Sequence, residues 1–272
     1  MSDDEWSEAQ RMLEAGIDFE HANAARMYDY FLGGAHHFEV DREVAARVVE
    51  GNPDIAAVAR ANRAFLGHVV RWCLAQGIDQ FLDLGSGVPT VGNVHEIALD
   101  SEPTARVAYV DFEPVAVAHA EQILAGHPTV TITRADLRDP ASVLCAPGVA
   151  DLLDLDRPVA LLMIAVLHFV ADPAAREALD HYRAALAPGS VVAISHASDD
   201  HDDPEVAEQV RGAAVGYANS ATPLLLRSRA ELRGLVGDLE LVPPGLVDVR
   251  DWPDPHPGTP GAGGYGLVAR LP

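Results

Sequence analysis

The sequence predicts an α/β fold, a doubly wound and mostly parallel sheet preceded by a helical extension. Three observations carry this. From residue 80 onward, short runs that are apolar throughout alternate with helix-starting and helix-ending signals, as expected of strands covered on both faces. Before residue 80, apolar residues recur at helical spacing instead. Apolar residues make up 49% of the chain but aromatics only 6%, which favours helices packed on a Val/Leu-rich sheet over an aromatic β-sandwich. The 272 residues fit one α/β domain with such an extension.

Residues 1–79 are read as the helical extension, a lid belonging to the same domain, and 80–272 as the sheet core. In the extension, Ile55, Val58, Ala59, Leu66, Val69, Val70 and Cys73 fall on one helical face, with Asp54 placed to cap the start and Gly77 to close the end. The strand candidates are Gln80–Leu84, Arg106–Val110, Val130–Thr133, Val159–Ala165 and Ser190–Ser195. Between them, Glu113-Pro114 opens a helix that Gly126 ends, and Asp172-Pro173 opens one that stops at Pro188-Gly189. Asp203-Pro204 opens a third, and Ser228 with Glu231 forms a capping box for a fourth that ends near Gly237. Two last strands, Leu246–Arg250 and Gly264–Arg270, are joined by a Pro/Gly-rich linker that suits an antiparallel return. Five β/α units and a closing hairpin place a ligand crevice at the carboxyl ends of the strands.

Charge narrows the function. Nineteen Lys and Arg stand against 41 Asp and Glu, a formal net charge of −22, and no basic patch interrupts the excess; Leu226 to Arg233 carries three arginines broken by Glu231. Such a chain repels phosphate backbones and anionic lipid, so neither nucleic acid nor a membrane surface is an expected partner. Cys73 and Cys145 are too few and too far apart for a disulfide framework or a Cys-rich metal site. The acidic N-terminus lacks the apolar stretch of a secretory signal. The longest apolar run, Pro158 to Val170, is also too short to span a bilayer, which needs roughly 20 residues. A cytoplasmic protein is expected.

The first strand runs straight into a glycine turn, Asp83-Leu84-Gly85-Ser86-Gly87-Val88-Pro89-Thr90. Glycines there let the backbone turn sharply and approach a ligand, although such a pair alone is as readily a tight turn. The second strand ends at Asp111, placed to accept from ribose hydroxyls, with Glu113 better explained as a helix cap. After the third strand Asp136 is placed to accept from an adenine amino group, or else is a surface turn residue. Phe112 and Leu137 beside these carboxylates, and Ala165 at the end of the fourth strand, complete the cofactor candidates on the core. A dinucleotide fingerprint wants a third glycine where Thr90 stands, and Pro89 removes an N–H that a phosphate would use. Asp83 suits a ligand carrying an ammonium group and a sulfonium, so the charge pattern favours S-adenosylmethionine.

The Asp83–Gly87 turn, Asp111, Asp136 and the Leu186-Ala187-Pro188-Gly189 stop resemble the class I methyltransferases. More specifically, Ala25-Arg26-Met27-Tyr28-Asp29-Tyr30-Phe31-Leu32-Gly33-Gly34 with Asp41-Arg42-Glu43 resembles the actinobacterial S-adenosyl methyltransferase family once catalogued as a domain of unknown function. So do Gly85-Ser86-Gly87-Val88-Pro89-Thr90-Val91-Gly92-Asn93-Val94-His95-Glu96, Val166-Leu167-His168-Phe169 and Pro244-Gly245-Leu246-Val247. The resemblance spans about Asn23 to Leu271. It implies a Rossmann-like class I methyltransferase fold, a seven-stranded sheet with an antiparallel last strand, and bound S-adenosylmethionine with S-adenosylhomocysteine as product. It places Arg26 and Tyr28 among the cofactor residues. Where members carry a Lys-Asp-Asn-like run after the two glycines, this chain has Ala35-His36-His37, which implies an acceptor specificity of its own if that loop touches the acceptor.

Methyl transfer from a sulfonium is an in-line displacement in which positioning supplies much of the acceleration. A base is needed only if the nucleophile must lose a proton. His168, at the end of the fourth strand, is the first candidate and His37 the second, unless His168 merely packs over the crevice floor. Tyr28 and Tyr30 either lid the methyl donor, their faces attracting its charge, or anchor the extension; the polar character of the motif favours the lid. Tyr30 and His36 are the candidates for the acceptor side. The run His196, Asp199, Asp200, His201, Asp202, Asp203 could be read as metal ligands, but an acidic loop ending in a helix cap is the simpler explanation and no metal is expected. The expected function is methylation of a small neutral or cationic molecule; the alternative is a non-catalytic sensor or partner subunit that binds S-adenosylmethionine or S-adenosylhomocysteine.

Overall fold

The five apolar runs form five parallel strands, β1 (Gln80–Leu84), β2 (Arg106–Asp111), β3 (Val130–Arg134), β4 (Ala160–Ile164) and β5 (Val191–Ala197). They belong to a computed structural model that describes residues 16–90, 92–218, 220–255 and 261–272. The amino-terminal ten residues, where no secretory signal is read, and part of the Pro/Gly-rich linker lie outside the described residues. The sheet runs β3-β2-β1-β4-β5-β8-β6, where β6 is Glu240–Leu241 and β8 is Gly264–Arg270. Strand order reverses between β1 and β4, which is where a doubly wound sheet opens its crevice.

Alternation along each strand feeds two cores. On one face Leu82, Leu84, Ala108, Val110, Leu161, Met163, Val192 and Ile194 pack on α8 (Ala174–Ala185) and α10 (Arg229–Leu235). On the other, Phe81, Val107, Tyr109, Ala160, Leu162, Val191 and Ala193 meet α3 (Ile55–Ala75), α4 (Val94–Ser101) and α5 (Pro114–Leu124). Burying each such Leu, Val or Phe is worth about 1.5–3 kcal/mol, so both faces are strongly specified. Thus α3, the best-marked helix of the extension, is one of the layers covering the sheet.

A third cluster joins α1 (Ala24–Phe31) and α2 (Glu39–Gly51) to α9 (Pro204–Tyr217) through Met27, Phe31, Val44, Val48, Ala213 and Tyr217. Here α2 and α9 touch backbone to backbone. A Cβ on Gly212 would overlap the carbonyl of Gly51, and one on Gly216 would overlap Val48 Cα. Two further short helices, α6 (Pro140–Cys145) and α7 (Pro147–Ala150), link β3 to β4.

The last lane departs from the expected hairpin. β8 runs antiparallel to β5, from Val191↔Arg270 to Ala197↔Gly264. Its other side is paired twice: β6 lies against Arg270 and Ala269, and β7 (Val247–Asp248) against Gly266 and Tyr265. Pro243-Pro244-Gly245 separates the two, because proline has no N–H to give a ladder. The expected strand Leu246–Arg250 is cut short where the Asp248 carboxylate accepts the N–H groups of Arg250 and Ala262 and turns the chain into a 3₁₀ segment, Val249–Asp251. The sheet therefore has seven lanes and eight strands.

Capping follows the sequence in part. Asp203 accepts from Glu205 N and Ser228 and Glu231 form their reciprocal box. Asp54 makes no side-chain cap bond, and the Asp172 carboxylate faces Arg227 at 3.4 Å. Among the described residues no helix is long and apolar enough to cross a membrane.

Candidate active site

A cavity of about 430 Å³ opens along the carboxyl ends of β1 to β5, roofed by α1 and α3. Its floor starts at the glycine turn. Gly85 and Gly87 both have positive φ, 70° and 67°, and a Cβ on Gly85 would overlap Val166 Cγ2. Gly85 N and Ser86 N both donate to Val110 O, which pins the turn to β2.

Three carboxylates stand at three successive strand ends. Asp83 is 5% exposed, and burial pushes its pKa up to about 7, against the pull of Arg63 and with added repulsion from Asp111. Asp111 accepts from Gly87 N at 2.7 Å and Glu113 N at 2.8 Å, so it ties the glycine turn to the start of α5. Burial raises its pKa, and those N–H bonds work the other way. Asp136 is held below the usual carboxylate range, first by the side chain of Arg138, whose Nε lies 2.9 Å from both oxygens. Beside them Phe112 presents a half-exposed ring to the cavity, a surface on which a purine can stack, and Leu137 adds an apolar wall.

The β4–β5 end is different in kind. Ala165 has φ +54°, uncommon for a residue with a Cβ, and its N–H reaches Ser195 Oγ at 2.9 Å. The Ser195 hydroxyl donates to Asn62 Oδ1, Asn62 Nδ2 donates to Tyr28 OH at 2.9 Å, and Tyr28 OH donates to Ala59 O at 3.1 Å. This directed chain ties the strained turn after β4 to α3 and α1. Tyr28 therefore lines the cavity and anchors the extension at once, and both readings of it describe one side chain.

His168 lies at this end with Nδ1 3.4 Å from Ala197 N. Burial, then His196 and Arg227, hold its pKa well below the usual imidazole value, so the ring is neutral. Behind it His196 accepts Arg227 Nη1 at Nε2 and donates from Nδ1 to Ala197 O at 2.7 Å. Burial brings the His196 pKa down to about 4.

Of the residues singled out from sequence, Asp83, Gly85, Ser86, Gly87, Asp111, Phe112, Asp136, Leu137, Ala165, Tyr28 and His168 line this one cavity. Four do not. Arg26 is fully buried and turned to Asp41 at 2.8 Å and Glu113 at 2.9 Å, because the guanidinium has two carboxylates to satisfy there. Glu113 accordingly makes no side-chain cap bond, and it lines the cavity. Tyr30 and His37 pack edge to face outside, with His37 Nδ1 3.3 Å from Arg42 Nη1, and the His36 ring lies tilted against His119 with centroids 3.6 Å apart. The path of their loop is fixed by the Asp29 carboxylate, which accepts His36 N and occupies the space that a Cβ on Gly34 would fill.

Asn62, Arg63 and Ser195 line the cavity and carry no sequence signal beyond polar residues in largely apolar segments; His196, noted in the sequence only as part of a possible metal-ligand run, lines it too. The acidic loop after β5 is spent on ion pairs of Asp199 with Arg211 and of Asp200 and Asp202 with Arg229, and on the Asp203 cap. No three His, Cys, Asp or Glu converge as a metal site among the described residues.

Sheet order and glycine turn are those of a Rossmann-like fold, and the family match makes the chain an S-adenosylmethionine-dependent methyltransferase. The chain belongs to the S-adenosyl methyltransferase family, whose profile matches residues 10–271. A crystal structure of a methyltransferase candidate from Thermobifida fusca is 35% identical and superposes with a TM-score of 0.87, covering 94% of this chain and 97% of that one. A DUF574-family protein from Streptomyces avermitilis is 38% identical with a TM-score of 0.86, covering 94% and 99%. The N-methyltransferase NodS from Bradyrhizobium japonicum, in complex with S-adenosylhomocysteine, shares the fold at 16% identity and a TM-score of 0.50, covering 91% and 99%. No curated protein matches the sequence.

The residues fit the cofactor. A buried carboxylate at Asp83 suits an ammonium group, the Gly85–Gly87 backbone leaves room for close approach, and Phe112 offers a stacking face.

Proposed function

We propose that the chain methylates a small molecule in the cytoplasm, with neither nucleic acid nor a membrane surface as partner. What supports this is one cavity whose carboxylate-lined end, at β1 to β3, runs on into a mostly apolar end at β4 and β5. In this reading Asp83, Gly85, Ser86, Gly87, Asp111, Phe112, Asp136, Leu137 and Ala165 hold the methyl donor, and α1 with Tyr28 closes over it as a lid. When bound, the donor supplies an electrophilic methyl group on a sulfonium. The chain's own part is to orient the acceptor and exclude water. His168, at the end of β4, is the base in this reading; the burial that keeps it neutral also makes it a weak one, so the role is confined to acceptors that give up a proton readily.

Calorimetric titration of the purified protein with S-adenosylmethionine, S-adenosylhomocysteine and NAD tests the donor site. Both sulfur ligands should bind, NAD should not, and Asp111→Ala should weaken the sulfur ligands by roughly tenfold or more, the loss of about 1.4 kcal/mol. NAD binding, or an Asp111→Ala protein with undiminished affinity, would sink the assignment.

A further inference from the structure

The two ends of the cavity differ in charge, and the difference selects the acceptor. Every charged side chain among the described lining residues belongs to the donor end or to its roof: Arg63, Asp83, Asp111, Glu113, Asp136 and Arg138. From β4 onward the described lining contains no formal charge. It is built from Val166, Phe169, Tyr217 and Leu224, and its polar side-chain groups are hydroxyls and imidazoles. Tyr217 is held as a phenol by burial, and His168 and His196 are held neutral by theirs.

The buried cation bound to His196 cannot serve an anionic acceptor. Arg227 spends its guanidinium on Leu167 O, Val170 O, His196 Nε2 and Asp172, behind the imidazoles. Among the described residues no carboxylate lines this end to receive an ammonium group. An ion placed here would lose its hydration with no opposite charge to replace it, a cost far above that of a hydroxyl that finds one partner.

We propose that the β4–β5 end takes an uncharged, mainly apolar acceptor that presents a neutral hydrogen-bonding group, a hydroxyl above all, and rejects ammonium and carboxylate forms of the same skeleton. The reading rests on the proposed donor site at the other end, and it removes the cationic acceptors that the net charge alone would allow. The acidity of the chain is not the acidity of this pocket.

The test is a matched set of probes, 2-naphthol, 2-naphthoate and 2-naphthylmethylammonium, titrated calorimetrically at pH 7.5 into the full chain with and without saturating S-adenosylhomocysteine. The naphthol should bind at least tenfold more tightly than either ion. Equal or tighter binding of an ion, or no binding of the naphthol, overturns the proposal. Leu224→Asp should move the preference toward the ammonium probe; an unchanged ranking places the selectivity elsewhere and overturns the assignment to this end. Titration with S-adenosylhomocysteine alone keeps the two readings apart. Its failure removes the donor site, while the ranking measured without it still decides the acceptor end.

Discussion

Asp83 is the side chain whose cost is clearest. Its folded pKa of about 7 lies above the unfolded value of 3.8, so between these pH values the folded protein holds more protons than the unfolded chain. Stability therefore falls as pH rises through that window, and above it the full penalty of the buried charge is present. Asp83→Asn should stabilise the ligand-free protein at pH 8, by on the order of 4 kcal/mol, and do little at pH 4. Thermal melts at the two pH values check this, and equal gains at both would refute it. Binding of a cationic ligand should favour the ionised form, so affinity for S-adenosylmethionine in the wild type should drop as pH falls below 7, and less so in the asparagine variant. The carboxylates and glycines were legible because few residue types can do their work at strand ends. Asn62 and Ser195 were not, since a single amide or hydroxyl in an apolar segment looks the same whether it faces solvent, core or cavity. Arg26 sits in the most distinctive motif of the chain, yet its partner Glu113 is 87 residues away, and spacing cannot disclose such a pair.

Strands were the easiest elements to read. β1 and β8 have the bounds the sequence predicts, and β2 to β5 differ by one or two residues at their ends. Apolar runs between turn signals leave little freedom. The short elements were missed: α6, α7 and the two-residue β6 are too brief for any period to show. The contact between α2 and α9 was equally invisible, because glycine in a helix reads locally as a defect. Replacing Gly212 by Ala gains up to about 1 kcal/mol of helix propensity. The added methyl would meet the Gly51 carbonyl, and overpacking of this kind typically costs about 1–3 kcal/mol. Backbone cannot rotate away as a side chain can, so the second effect wins and Gly212→Ala should melt earlier than wild type. A higher melting temperature would mean the helices separate freely. Arg26→Met should cost more, about 3–5 kcal/mol, because it strands the Asp41 and Glu113 carboxylates in the interior.

At the level of the whole molecule, a formal charge of −22 on 272 residues makes the folded state repel itself. Screening shortens from about 10 Å at 0.1 M salt to about 3 Å at 1 M, so the melting temperature should climb steadily with added sodium chloride. A flat response would show that the acidic residues are already compensated locally, as Asp136 is by Arg138 and Asp79 by Arg157. The interrupted last lane bears on how such molecules meet one another. An open sheet ends in unpaired N–H and C=O groups, and a long flat border is a template on which a second chain can crystallise its own strand. Here that border is two residues of β6 and two of β7, parted by a pair of prolines. Neither piece is long enough to seat a neighbour in register, so on this flank the molecule offers other chains no place to add a strand.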